Sequence, residues 1–318
     1  MATDERFHQS GSDTKPRFAD VATFMRTQRH EIMKEIDIGL MGVPFDLGVN
    51  FRSGARQGPA GVREASRLIR RVHPTSGIKP FDICNVADLG DSPINPLDLL
   101  ASVDLIQGFF EEVHGAGIRP LAIGGDHTIP LPILRAIAKD KPVGMLHFDA
   151  HPDTLDELCG TKINHATFLH RAHEEGLIRP ENVVQVGLRG SRFGDHDIQY
   201  GYDVGFTIIT MDEYEEMGRA KAIEIIHKAL GDAPVYISLD IDGLDPVHAP
   251  GTGVPEIGGL IPRDMQVIIR SLQGRDIVGA DISEIAPCFD PTGITCVTGA
   301  NLMFEILCVM ADSIASAR

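Results

Sequence analysis

The chain has 318 residues, 43% hydrophobic and 23% charged, with a formal net charge of -16, a composition that suits one globular α/β core with helices on both faces. The negative charge argues against a nucleic-acid backbone as partner. No apolar run is read near the ~18 residues that span a bilayer, so no membrane partner is expected either.

The opening MATDERFHQSGSDTKPRF is polar and lacks the apolar core of a secretory signal, which predicts a cytoplasmic protein. Residues 1–30 read as a mobile arm that a neighbouring subunit orders, and 31–318 as a single domain. A buried strand is predicted over 37–45 (DIGLMGVPF), then a helix over 95–117, a strand over 119–127 (RPLAIGGDH), a helix over 129–140 and a strand over 143–151 (VGMLHFDAH). Further strands are predicted over 182–190 and 205–210, a helix over 219–232, a strand over 233–242 (APVYISLDID), a helix over 263–274 and a strand over 277–285 (IVGADISEI). Alternation of this kind predicts a three-layer αβα sandwich with a mostly parallel central sheet. Ligands of such sheets bind in the crevice beyond the carboxyl ends of the strands. Cys84, Cys159, Cys288, Cys296 and Cys308 form no CxxC pair and leave one over in any disulfide scheme, as in a reducing compartment. None of them is given a role.

The charged groups gather at those strand ends. Residues two apart on a strand share a face, so Asp149, His151 and Asp153 converge if the extension beyond VGMLHF persists. Asp240 and Asp242 in YISLDIDGLDP alternate in the same way, and LAIGGDH adds His127. Taken singly, GGDH is a turn after a strand and DxD a solvated loop. Burying three ionisable groups directly after a strand, however, is costly without a compensating ion. Four clustered carboxylates repel one another, and two divalent cations neutralise all four. Oxygen and imidazole donors without thiolate suit manganese, nickel, iron, cobalt or zinc.

GGDH (124–127), DAHPD (149–153), SLDIDGLDP (238–246) and GTGVPEIGGL (251–260) resemble the motifs of the ureohydrolase family: arginases, agmatinases, guanidinobutyrases and guanidinopropionases. The likeness continues through VATFMR (21–26), FRSGARQGP (51–59) and the closing GANLMFEIL, and is closest to the bacterial agmatinase and guanidinobutyrase branch. The serine- and asparagine-rich loop of arginases is not found after Asp153. The resemblance implies an arginase-like fold and two divalent metals per chain, manganese by family habit with nickel as the alternative. It implies that His127, Asp149, Asp153 and Asp240 hold one ion and His151, Asp149, Asp240 and Asp242 the other. Asp149 and Asp240 would then bridge, and a water between the cations would ionise near neutrality. His165 in KINHATFLH corresponds to the family's proton shuttle, and Glu284 in DISEIAP to the carboxylate that pairs with the substrate guanidinium through two parallel hydrogen bonds. A guanidinium stays protonated up to a pKa above ~12 and resists plain water, which is why the chemistry needs metals and an acid to give urea and an amine.

Three departures from the family pattern stand beside the donors: Pro152 for a small polar residue, Leu155 for an asparagine and Ala166 for a glycine. Leu155 and Ala166 are therefore expected, with His165 and Glu284, to shape the substrate site. The loop 154–166 and the stretch 46–56 are expected to choose the substrate. The leading expectation is a 4-guanidinobutyrate or agmatine type of substrate. The alternatives are a nickel-dependent hydrolase of guanidine, dimethylguanidine or metformin, a formiminoglutamase that would release formamide, and a pseudoenzyme subunit, although none of the six donors is lost. Relatives suggest a homo-oligomer, hexamer or trimer, or a heteromer with a paralogue.

Overall fold

The computed structural model describes residues 5–11, 16–194 and 196–318. Strand β1, Ile38–Val43, is buried at every position, as a strand covered on both faces must be. The other strands are β2 Val86–Asp91, β3 Arg119–Gly124, β4 Val143–Phe148, β5 Ile178–Leu188, β6 Thr207–Thr210, β7 Val235–Asp240 and β8 Ile277–Ser283. They form one eight-stranded sheet in the order β2-β1-β3-β8-β7-β4-β5-β6, with every pairing between these strands parallel.

Successive side chains feed opposite faces. Leu40, Ile123, Leu146, Val184 and Ile237 enter one core, closed by α1 (Gly58–Ala65), α2 (Pro80–Ile83), α7 (Met211–Leu230), α8 (Pro262–Ser271) and α9 (Ile294–Ala317). Met41, Ala122, Met145, Val183 and Tyr236 enter the other, closed by α3 (Leu99–Gly115), α4 (Pro130–Ile137) and α5 (Phe168–Glu174), with α6 (His196–Val204) at its margin. Each fully buried aliphatic side chain contributes ~1.5–3 kcal/mol relative to an exposed one. The predicted three-layer sandwich is the fold observed.

The structure departs from the sequence reading in four places. Strand β2 was not anticipated because Asp88 and Gly90 interrupt its apolar run; Asp88 is buried, with the Arg63 guanidinium 3.0 Å away and the Phe24 amide donating to it at 2.9 Å. Helix α7 begins at Met211 with a Thr210–Glu213 capping box, ahead of the expected residue 219, because Gly218 breaks the helical backbone between its two halves. Helix α9 is 24 residues long and its most apolar 18-residue window has mean hydropathy 1.7, so an apolar run of membrane-spanning length does exist. Its most apolar window is 83% buried inside the protein, which makes it a core helix. Finally, the described parts of the expected arm pack on their own chain. Phe7, Phe24 and Met25 are fully buried, the Met25 amide donates to Ser66 Oγ at 2.8 Å, and Gln9 Nε2 donates to Met25 O at 2.7 Å. Residues 1–4 and 12–15 lie outside the described residues.

Candidate metal centre

The four central strands, β3, β8, β7 and β4, are neighbours in the sheet. Their carboxyl ends carry His127, Glu284, Asp240 and Asp149, in that order, so residues distant in sequence arrive at one crevice. The turn to His127 needs both glycines of GGDH. A Cβ at Gly125 would strike the Phe45 carbonyl, and one at Gly124 the Ile129 side chain.

Strand geometry does not persist past Phe148 as expected. Asp153 has a left-handed φ of 52°, and Gln185 Nε2 holds the turn by donating to Pro152 O at 2.8 Å. A turn, rather than an extended strand, thus brings the donors together. His127 Nδ1 lies 3.0 Å from Asp149 Oδ2, 2.9 Å from Asp153 Oδ2 and 3.3 Å from Asp240 Oδ2. His151 Nδ1 lies 3.4 Å from Asp149 Oδ1 and 3.2 Å from Asp242 Oδ2. Asp242 Oδ1 accepts from the Ala150 amide at 3.1 Å, tying the two donor loops to each other, and Asp240 Oδ1 accepts from the Asp242 amide at 2.7 Å within the second loop. All six expected donors meet here, and Asp149 reaches both groups.

His147 belongs to the same cluster and was missed. Its Nε2 lies 3.0 Å from Asp149 Oδ2, and Gln185 Nε2 lies 3.0 Å from its Nδ1. The signal was present, since His147 is in phase with Asp149, His151 and Asp153. Arg189 was also missed. Its guanidinium donates to the carbonyls of Asp242 at 2.7 Å, Glu256 at 2.8 Å and Gly187 at 3.0 Å, bracing the loop that bears Asp242.

Two groups of donors, His127 with His147, Asp149 and Asp153, and Asp149 with His151 and Asp242, can each hold a cation. Their chemistry fits one. His127 Nδ1, His147 Nε2 and Asp149 Oδ2 are buried without an aligned hydrogen bond, atoms that a shared cation satisfies. Burial and the surrounding carboxylates push Asp240 well above the usual range, and burial with Asp149 raises Asp153. Burial also raises Asp242, against the opposing pull of His151. Burial alone would raise Asp149 too, but His127, His147 and His151 bring it well below. His127 Nε2 meets Ser238 Oγ at 3.0 Å, which fixes the ring with Nδ1 toward the aspartates. A third group, Asp156 with His170 and Glu174, already holds a cation of its own: Arg171 sits 2.6 Å from Asp156 and 3.1 Å from Glu174.

A cavity of about 280 Å³ opens over the donors. Glu284 stands in its floor on a left-handed backbone, φ 62°, with Oε1 accepting from the His127 amide at 2.9 Å. His165 Nδ1 lies 3.6 Å from Glu284 Oε1 and its Nε2 3.0 Å from Asn50 Oδ1. Burial works against the imidazolium, but Glu284 prevails and raises His165 to about 9. Leu155, Leu158, Ala166, Phe193 and Val254 give the wall an apolar side, and Arg192 and Glu256 a charged one.

A parallel α/β sandwich with this histidine and aspartate cradle at its strand ends is the architecture of a metal-dependent hydrolase. The chain belongs to the arginase family, whose model matches residues 36–309. It is thus a ureohydrolase, an enzyme that hydrolyses a C–N bond of a guanidino compound. It is 46% identical to the guanidinopropionase of Pseudomonas aeruginosa, over 94% of this chain and 95% of that one. It is 43% identical to the guanidinobutyrase of the same organism, over 96% and 98%. The solved proclavaminate amidinohydrolase from Streptomyces clavuligerus superposes with a TM-score of 0.91 at 35% identity, covering 94% of this chain and all of that one.

Proposed function

We propose that the protein hydrolyses a short guanidino acid, of the 3-guanidinopropionate or 4-guanidinobutyrate type, to urea and an amino acid. The observation that carries this reading is the cavity itself, with a buried carboxylate, Glu284, in its floor beside the donor cluster. Such a floor matches the guanidinium of a ligand, and Arg192, which shares the charged side of the wall with Glu256, is a cation at hand for a ligand carboxylate. The names of the two Pseudomonas relatives support it.

In this reading Glu284 orients the guanidinium, and His165 receives a proton during water attack and returns it to the departing nitrogen. His127, Asp149, Asp153 and Asp240 would hold one divalent cation and His151, Asp149, Asp240 and Asp242 the other, manganese first and nickel as the alternative. The pair supplies Lewis acidity that lowers the pKa of water toward neutrality. Exclusion of solvent by Leu155, Leu158 and Val254 strengthens the Glu284 ion pair.

The apolar wall supports a second reading, hydrolysis of guanidine or a small alkylated guanidine such as dimethylguanidine or metformin, with Leu155, Ala166 and Phe193 against the alkyl groups. Urea release by metal-loaded protein from guanidino acids, agmatine, guanidine and the alkylated guanidines separates the two. Preference for the acids supports the first. Release of formamide from formiminoglutamate, without urea from any guanidino compound, overturns both.

A further inference from the structure

We propose that Asn50 is a positioning residue that fixes the ring orientation and tautomer of His165, so that proton transfer runs through Nδ1. The kinetic part of this proposal rests on the amidinohydrolase reading above.

The loop bearing Asn50 is anchored by two buried carboxylates. Asp46 Oδ2 accepts from the Gly54 amide at 2.8 Å and the Arg56 amide at 3.3 Å. Asp126, with no exposed surface, accepts from the Gly48 amide at 2.7 Å and the Thr128 amide at 2.9 Å. A Cβ at Gly48 would collide with Thr128 Oγ1, so the close approach of the loop to Asp126 requires glycine there.

From this anchored loop two contacts reach His165. Gly48 O accepts from the His165 amide at 3.3 Å, and Asn50 Oδ1 lies 3.0 Å from the ring at Nε2. An amide oxygen only accepts, so Nε2 carries the hydrogen. In the neutral ring Nδ1 is then the basic nitrogen, and it is the one turned toward Glu284, 3.6 Å away.

The groups facing the ring are Glu284 across Nδ1, Asn50 across Nε2, and Asp153 and Asp126 at longer range. The three carboxylates favour the charged ring wherever its protons sit. Asn50 is neutral and determines which nitrogen is free. During turnover one proton of the attacking water passes to Nδ1 and from there to the departing nitrogen as the C–N bond breaks. The water's second proton follows as the carbonyl of urea forms, so the amine leaves as its ammonium, and Nε2–H is unchanged throughout.

This assigns the 46–56 stretch a task other than recognising the substrate tail. Asn50→Leu removes the acceptor, and Asn50→Asp keeps one in place. In metal-loaded protein Asn50→Leu is expected to lower kcat by about 10-fold or more, within the ~10²–10⁴ that general acid–base catalysis supplies. KM and bound metal should change little, and Asn50→Asp should restore most of the rate. In a His165→Ala background Asn50→Leu should cost nothing further, the mark of two residues that act as one unit. A kcat for Asn50→Leu within twofold of the parent, or an equal loss in both backgrounds, overturns the proposal. If Asn50→Leu fails to fold, Asn50→Ala gives the same comparison.

A readout without turnover keeps the two readings apart. In zinc-loaded protein with ¹⁵N-labelled histidine, held at a pH above the value of about 9 at which the ring loses its second proton, the His165 signals, identified by their loss in His165→Ala, should report a protonated Nε2 that Asn50→Leu alters. An Nδ1–H tautomer in the neutral ring of the parent overturns the assignment even if the enzyme is active. Absence of urea from every guanidino compound, with the Nε2–H tautomer present, would instead count against the proposed function.

Discussion

The Leu155 amide donates to the Ala166 carbonyl at 3.1 Å, so two of the three residues read as departures from the family pattern are joined by a backbone bond in the cavity wall. Their side chains can therefore be changed without removing the bond that sets the loop. Leu155→Asn with Ala166→Gly should move preference toward 4-guanidinobutyrate and away from small alkylated guanidines. One methyl or one hydrogen-bonding group is worth ~1–3 kcal/mol at a transition state, so relative kcat/KM should shift by roughly 10- to 200-fold. An unchanged rank order across the substrate panel, at equal metal content, would show that this wall does not select.

Asp149 is common to both donor groups, whereas His151 serves one. Asp149→Asn should leave the protein with less than one firmly bound ion and no measurable turnover. His151→Ala should retain about one of the two ions expected. Elemental analysis after manganese or nickel loading and removal of free metal distinguishes these outcomes. A parent protein that saturates at one ion per chain would refute the binuclear arrangement.

His165→Ala should lower kcat by on the order of 10²–10⁴, with metal content unchanged and KM little altered, since the ring contacts Glu284 and Asn50 rather than the metal donors. Steady-state kinetics beside metal analysis tests this. Full activity at neutral pH would remove the ring from the proton path.

Glu284 is the main partner that raises His165 to about 9. A His whose pKa is raised by a carboxylate loses that elevation when the charge is removed, so in Glu284→Gln the ring should deprotonate at lower pH. Because His165 receives a proton during water attack, it must start neutral, so the acidic limb of the kcat profile should move to lower pH, and KM should rise through loss of the guanidinium partner. A limb that stays in place would show that another group sets it.

Most of the sheet was legible because buried parallel strands are continuous apolar runs that end in turns. The edge strand β2 was hidden by Asp88, whose charge is compensated by Arg63 from another part of the chain. That pairing is a tertiary fact, and no local pattern announces it. Five of the six expected donors were legible as period-two patterns and His127 as the end of LAIGGDH, although the turn after Phe148 brings Asp149, His151 and Asp153 into place by a different route. His147 could have been read from the same period. Asn50 could not, because it meets His165 only when two loops 115 positions apart fold onto the same strand ends.

The place of β8 has a consequence for how the protein comes into being. It is the last strand to be synthesised, yet it lies between β3 and β7 in the middle of the sheet. A growing chain that has made everything through β7 has two half-sheets with no shared edge, and neither half contains both His127 and Asp149. Closure must await residues 277–283, and the same event that joins the halves delivers Glu284. A cation that needs both His127 and Asp149 would therefore be held only once the central strand has been inserted.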